Sequence, residues 1–336
     1  MKPLTDQQRL QLVESEQIYD AWRQAHWRRH DYRYGMRWKK VRNYEYLIRL
    51  TDGRGNGRSL GRRDAATEQL YASFNKGKAA AEDIWRGLSE RIELQRRLNR
   101  ALRLGRMPTI VGDILLALDK TRALKELRVV GTHALFAYEA MAAIEFKVEL
   151  LASGDIDLLF DNRKKFSLIS KRLDGRGVLS VLQKVDASFE VAGTNQFRAV
   201  NKTGFMVDLI TQDKGLKSDA PGPFVQGDLS AAAVPNLEWL ANVPRIEQVV
   251  IAANGQPVMM PVPDPRAFAI HKAWLSERLD REPVKKQRDL NQARMLSDCL
   301  KEYLPNFPLD SEAIAAMRYL PLAVIDRALS VLRVSH

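Results

Sequence analysis

Cysteine is almost absent from this 336-residue chain: Cys299 stands alone, so no intrachain disulfide and no cysteine-based zinc site can form. It lies in a helical pattern beside Leu296 and Leu300, where a small buried side chain is expected rather than a nucleophile. No run of 18 or more apolar residues occurs, which excludes the usual membrane-spanning helix. The opening residues, Met1 to Arg9, are polar and hold no apolar signal core. These absences lead us to expect a reducing, cytoplasmic setting and no membrane partner. Enzyme signatures are also missing. There is no Gly-x-x-x-x-Gly-Lys loop, no His-Glu-x-x-His pair and no Gly-x-Ser-x-Gly elbow, which argues against a P-loop NTPase, a zincin or an α/β-hydrolase. Internal repeats and low-complexity linkers are absent as well.

What is present is a large apolar fraction, 45%, in a chain long enough for two or three domains. The net charge of +12 is unevenly spread: residues 1–106 carry 24 Lys+Arg against 13 Asp+Glu, and residues 107–336 carry 29 against 28. The basic surplus therefore belongs to the N-terminal third. A localised basic surface suits a polyanion, most simply nucleic acid, or else serves as a solvated face.

The pattern along the chain predicts an α+β fold in three parts: a basic, mainly helical domain with a β-hairpin over 1–106, a mixed-sheet domain over 107–262, and a helical domain over 263–336. In the first part, helices are expected at 6–30, 64–81 and 82–104, with Asp64 capping the second and Ile84, Leu88, Ile92, Leu98 and Leu102 striping the third. Met36 to Leu50 and Arg58 to Gly61 read as one hairpin around the glycine-rich turn at 52–57. Trp27 to Arg49 interleaves aromatics with bases, a composition suited to gripping unpaired bases and phosphates; packing of the aromatics within the module is the alternative. In the second part, strands at Leu127–Val130, Asp155–Phe160, Phe189–Val191, Phe197–Val200 and Phe205–Ile210 alternate with helices at Ile110–Leu124, Thr132–Ala143 and Phe166–Leu173. Residues 212–235 read as a long loop, and 249–261 as a second hairpin. Helices at 265–280, 284–303, 310–318 and 321–333 follow.

The chemistry concentrates in two short strings. Val129-Val130-Gly131-Thr132-His133 is a strand entering a Gly-Thr turn and a helix; Gly154-Asp155-Ile156-Asp157-Leu158-Leu159-Phe160 opens a strand with two aspartates one residue apart. Residues i and i+2 of a strand share a face, so both carboxylates enter one small volume, where they repel unless a proton or cation separates them. Hard oxygen donors favour Mg²⁺, and backbone N–H groups at a helix start suit phosphate. With 23 aspartates in the chain, an isolated Asp-x-Asp means little; the context decides. Asp208 adds to it as the one charge in the apolar strand Phe205–Ile210. A metal shared with Asp155 and Asp157 would relieve its burial, as would a salt bridge to Arg or Lys. His133 could touch a nucleotide or be a satisfied core histidine, and Asp161 suits a helix cap. Arg163, Lys164 and Lys165 either contact substrate or face solvent.

Gly131-Thr132, Asp155-x-Asp157 and Asp208 resemble the signature of the polymerase-β-like nucleotidyltransferase superfamily, with Thr132 in place of the commoner Ser or Gly. The fuller strings look most similar to an uncharacterised bacterial nucleotidyltransferase-like group. They are also similar to the nucleotidyltransferase toxins of abortive-infection systems, in which a lysine-bearing helix and an Arg-Asp pair follow the palm; His271-Lys272-Ala273-Trp274 and Arg288-Asp289 match that arrangement. The resemblance covers about residues 125–300 and implies a nucleotidyltransferase palm over 107–262. It implies two Mg²⁺ ions, with Mn²⁺ able to substitute, held by Asp155, Asp157 and Asp208. Gly131, Thr132, Lys272 and Arg288 would bind the nucleotide; Arg288 and Asp289 read equally as a structural ion pair. The implied reaction moves an NMP from an NTP to an acceptor hydroxyl and releases pyrophosphate. RNA, a tRNA end among the choices, is the expected acceptor through the basic third. Nucleotidylation of a protein partner and a non-catalytic nucleic-acid-binding role stay open, as does a toxin role with a paired antitoxin.

Overall fold

The computed structural model describes residues 1–161, 177–193, 195–213, 226–315, 317 and 319–333. Its Cα packing divides the chain into two compact units, Val13–Leu98 and Met1–Leu12 with Asn99–His336. In chain order the first elements are β1 (Lys2–Pro3), α1 (Asp6–Asp31), β2 (Met36–Val41), β3 (Tyr44–Leu50), β4 (Gly57–Arg62) and α2 (Ala65–Ala101).

Within Val13–Leu98, α1 and α2 are joined by Ser15 donating to Gln95 (3.2 Å) and Trp22 Nε1 donating to Ser89 (3.1 Å). Arg29 and Glu82 form an ion pair at 2.5 Å. The two helices expected over 64–104 are one, 37 residues long, because no Gly or Pro between Asn75 and Ala101 breaks the hydrogen-bond ladder strongly enough; Gly77 and Gly87 are tolerated. Its buried face runs through Ala81, Ile92 and Gln95, a 3.6-residue spacing that leaves Ile84 and Leu98 exposed. Of the stripe expected, Ile92 is thus buried, Leu88 and Leu102 are half-buried, and only Ile84 and Leu98 turn outward. Asp64 does cap the helix, accepting from the Thr67 N–H at 2.7 Å. The expected hairpin is a three-stranded antiparallel sheet, β2-β3-β4. A tight turn at Arg42, whose φ is +55°, splits Met36–Leu50 into two strands. Asn43 is the one compositional mark of this turn, weak by itself in a run of strand formers, and Arg42 rather than a glycine takes the left-handed conformation.

The other unit holds the mixed sheet. Its elements are α3 (Thr109–Lys120), β5 (Leu127–Val130), α4 (Leu135–Ala142), β6 (Ile144–Glu145), β7 (Asp155–Phe160), α5 (Gly177–Val185), β8 (Glu190–Ala192), β9 (Asn195–Val200), β10 (Met206–Gln212) and β11 (Ala232–Val234). They continue with α6 (Glu238–Asn242), β12 (Arg245–Ile251), β13 (Pro257–Pro263), α7 (Pro265–Glu277), α8 (Pro283–Tyr303), α9 (Ser311–Ala315) and α10 (Leu322–Arg333). The main sheet runs β5-β7-β10-β9-β8, with β11 also on β10. β7 pairs antiparallel with β5 and parallel with β10, so the fold is α+β with a mixed sheet. β11 lies inside the stretch read as a loop at 212–235. Residues 214–225 of that stretch, the expected helix Phe166–Leu173, and Arg163 to Lys165 lie outside the described residues. The second hairpin, β12-β13, is longer than expected and pairs over Arg245–Ile251 and Pro257–Pro263.

The sheet is covered by the C-terminal helices. Val130, Leu159 and Ile210 of the sheet share a buried cluster with Ala267, Ile270 and Ala273 of α7, Ala293 of α8, and Ile325, Ala328 and Leu329 of α10. Small residues on α7 let the helix approach the sheet closely. Pro265 at its first turn and Asp264, accepting from the Arg266 N–H, fix its start. Cys299 is fully buried, as expected, and burial pushes its thiol up to about 12, which makes it a packing residue. On the same physical basis, Leu158→Ala, which empties a fully buried site in β7, should cost about 2–5 kcal/mol in urea unfolding. A loss below about 1 kcal/mol would mean that the strand is not core.

Candidate active site

Register, more than proximity in sequence, assembles the carboxylates. Asp157 stands directly opposite Asp208 in the parallel β7–β10 pair, and Asp208 stands opposite Arg198 in the antiparallel β10–β9 pair. Paired residues share a face, so Asp157, Asp208 and Arg198 form one row across three strands, with Asp155 beside it at i−2. A ligand oxygen of each of Asp155, Asp157 and Asp208 lies within 4.8 Å of the others. Among the described residues no other group of three His, Cys, Asp or Glu side chains has metal-ligand spacing. Burial first, then the Asp155 and Asp208 carboxylates, pushes Asp157 up to about 7. The site thus carries more negative charge than its surroundings neutralise, and its donors are all hard oxygens. That combination fits a divalent cation such as Mg²⁺.

Of the two routes considered for relieving Asp208, the salt bridge forms, and it leaves room for a cation. Arg198 donates to both carboxylate oxygens at 2.7 Å, and each oxygen keeps capacity for a further partner. Sequence reasoning does not single out Arg198; its only signal is its position opposite Asp208 once the register is known. Ser153 goes unmarked as well, and it donates to Asp155 at 2.5 Å from the loop that leads into β7.

All seven residues expected from sequence line one cavity of about 600 Å³: Gly131, Thr132, Asp155, Asp157, Asp208, Lys272 and Arg288. Gly131 has φ +66°, and a Cβ there would collide with the Asp157 carboxylate. Glycine is needed at this turn for both reasons. Thr132 opens a short 3₁₀ turn before α4 and accepts from Gln292 of α8 at 3.3 Å. Gln292 also donates to the Leu150 carbonyl at 2.7 Å, so one buried amide ties α8 to both loops at the carboxylate edge.

The opposite wall is basic. Lys272, Arg278, Arg281, Lys285 and Arg288 come from α7, α8 and the turn between them and outnumber Asp280 and Asp289 there; Trp274 of α7 and Phe197 of β9 add aromatic surface to the cavity. Lys272 is buried and donates to Asp289 at 2.7 Å; burial pulls its ammonium below the usual range, against the pull of Asp289. The ion pair read between Arg288 and Asp289 does not form. Consecutive helical residues point about 100° apart, so Asp289 turns inward to Lys272 and Arg281, while Arg288 donates to the Ala152 carbonyl ahead of β7. His133 is buried between Phe136 and Phe205, with ring centroids 6.1 and 6.3 Å away. Burial takes its pKa down to about 4, the behaviour of a neutral core imidazole. Asp161 accepts from Gln212 at 3.0 Å; the helix it was read to cap lies outside the described residues.

The raised pKa of Asp157 has a stability consequence. The unfolded chain releases this proton near 3.8 and the folded chain near 7. Between those values the native state binds more protons, so this group's contribution to stability falls as pH rises through the window. Asp157→Asn should flatten that part of the curve of unfolding free energy against pH, read by urea denaturation at each pH. An unchanged slope would contradict the shift.

Neither the curated proteins nor the solved structures contain a match to this chain. A family model described as nucleotidyltransferase matches residues 109–318, a span that runs from α3 through the mixed sheet, both walls of the cavity and α9. The chain therefore belongs to the nucleotidyltransferases and is an enzyme of that type, acting on a nucleoside triphosphate.

Proposed function

We propose that this nucleotidyltransferase moves an NMP from an NTP to a hydroxyl on RNA, a tRNA end among the candidate acceptors, and releases pyrophosphate. The observation that carries the reading is the cavity itself, which joins the three clustered carboxylates of the sheet to a helical side bearing five cations against two carboxylates, Asp280 and Asp289. Asp155, Asp157 and Asp208 would hold Mg²⁺, two ions in all and replaceable by Mn²⁺, which when bound supply charge neutralisation at the triphosphate and a more acidic acceptor hydroxyl. The protein's part is positioning. Gly131 lets the backbone approach the nucleotide closely, and the N–H groups and hydroxyl at Thr132 would donate to phosphate. Lys272 and Arg288 offer positive charge to the phosphates from the helical wall. Arg198 holds Asp208 in its rotamer, so the carboxylate is pre-set before substrate arrives.

The polymerase-β-like group is the natural assignment of this site, because it rests on Gly131-Thr132, Asp155-x-Asp157 and Asp208 in that order. Likeness to the abortive-infection toxins rests on Lys272 and the Arg288-Asp289 pair, and it makes an antitoxin a partner worth seeking. The basic surplus of residues 1–106 supports an RNA acceptor.

Incubation with labelled NTPs, Mg²⁺ and total RNA should place label in nuclease-sensitive material. Asp155→Ala/Asp157→Ala should lower transfer by roughly a hundredfold or more, the scale of removing preorganised electrostatic stabilisation. Label in protease-sensitive material would replace RNA by a protein acceptor, and transfer equal to that of the wild type would end the assignment of the carboxylates. Lys272→Met should raise the KM for NTP more than it lowers kcat, because Asp289 keeps its Arg281 partner and the helices stay joined. A fall in kcat alone would place Lys272 elsewhere in the reaction.

A further inference from the structure

The three-stranded sheet of residues 36–62 has two unlike faces. On the inner face, Leu47 is fully buried, Trp38 packs on Tyr71 of α2 with ring centroids 5.7 Å apart, and Arg49 lies over Phe74. Strand alternation sends the other set of side chains outward. The register places Arg37 opposite Ile48, Lys39 opposite Tyr46 and Val41 opposite Tyr44, with Arg62 opposite Tyr46 on the far strand. Arg37, Lys39 and Arg62 are exposed, and Val41 and Tyr44 are each 45% exposed. The one carboxylate within the three strands, Glu45, is on the inner face and is taken by Arg63 at 2.6 Å. None of the three outward cations is in an ion pair among the described residues: Arg37 donates to the Gly55 carbonyl, and Arg62 lies 3.6 Å over the Tyr44 ring.

We infer that this outward face is a docking surface for single-stranded RNA, resting on the reading of RNA as acceptor. Its chemistry is matched to that partner on both counts. Arg37, Lys39 and Arg62 present positive charge to backbone phosphates; the half-buried Tyr46 presents a ring for unpaired bases, and the Arg62 guanidinium lying on the Tyr44 ring adds a cationic stacking plane. Elsewhere in this unit the aromatics are already engaged: Trp85 lies under Arg29, Trp27 under Arg23, and Phe74 against Tyr32. The aromatic-basic composition of residues 27–49 thus divides by face, one set holding the module together and the other turned to solvent.

The test is fluorescence anisotropy of the full-length protein with an unstructured, labelled RNA of about 20 nucleotides, longer than one single-strand binding site, across a salt series. Arg37→Glu/Lys39→Glu should weaken binding about tenfold or more and lower the slope of log K against log salt by about 0.7 for each phosphate no longer neutralised. Tyr46→Leu, which keeps apolar bulk, should weaken binding about fivefold or more with the slope unchanged. Arg91→Glu/Arg97→Glu, the same charge change on exposed positions of α2, should leave affinity within about twofold, since these positions lie off the sheet and only diffuse charge is altered. Far-UV circular dichroism and NTP binding equal to wild type establish that each variant is folded. An equal loss in the α2 variant would reduce the effect to diffuse charge and overturn the assignment. So would duplex RNA, or a polyglutamate peptide of equal charge, binding as tightly as the single strand. Wild-type protein that binds no RNA would overturn the RNA-acceptor reading as well; RNA binding insensitive to the sheet variants would overturn the sheet assignment alone.

Discussion

Repulsion among three carboxylates is the constraint around which the larger unit is arranged. Asp155, Asp157 and Asp208 lie within 4.8 Å of one another, and like charges at that range cost several times RT in a half-buried setting. The surroundings offset this only in part. Arg198 takes both oxygens of Asp208, Ser153 donates to Asp155, and Lys272 acts on Asp157 from the helical wall while held by Asp289. Burial, together with the remaining imbalance, appears as the raised pKa of Asp157. A fold aimed only at stability would not keep this arrangement, and a cation-binding active site is its simplest use.

Support for that arrangement comes from outside the strands that carry it. α8 anchors both loops at the carboxylate edge: Gln292 reaches Thr132 and the Leu150 carbonyl, and Arg288 reaches the Ala152 carbonyl. α7 supplies Lys272 and packs on the sheet core through Ala267, Ile270 and Ala273. The helical C-terminal segment thus forms a wall of the cavity rather than an appendage to it, in keeping with a family match that continues to residue 318.

Most of the mixed-sheet region is legible in the sequence because its elements are short and strongly patterned. Leu127–Val130 and Asp155–Phe160 are strands at the bounds expected, and a turn at Asn201-Lys202-Thr203-Gly204, with the Gly204 N–H donating to the Asn201 carbonyl at 2.9 Å, joins the two strands expected on either side of it. Differences fall where composition carries little mark of the deciding event. Arg42 takes the left-handed conformation with only Asn43 beside it to signal a turn, so a sheet of three strands reads as a hairpin of two. α2 runs unbroken through a point where two amphipathic stripes only suggest a change of phase. β11 is three residues long and owes its existence to the edge that β10 offers it.

Residue types and their order along the chain settled the chemistry of the site: an Asp-x-Asp at the head of an apolar strand, a Gly-Thr turn before it, and a lone carboxylate in a later strand. Local backbone geometry suffices for that, since i and i+2 share a face in any strand. Partners that depend on register or on helix phase were decided only in three dimensions. Arg198 became the counterion of Asp208 because β9 and β10 pair with those two residues opposite, and a slip by one would have sent Arg198 to the other face. Asp289 went to Lys272 and Arg281 rather than to its neighbour Arg288 because adjacent helical side chains diverge. The basic residues of 27–62 separated into structural and solvent-facing sets by strand alternation, which a linear count of charges cannot see.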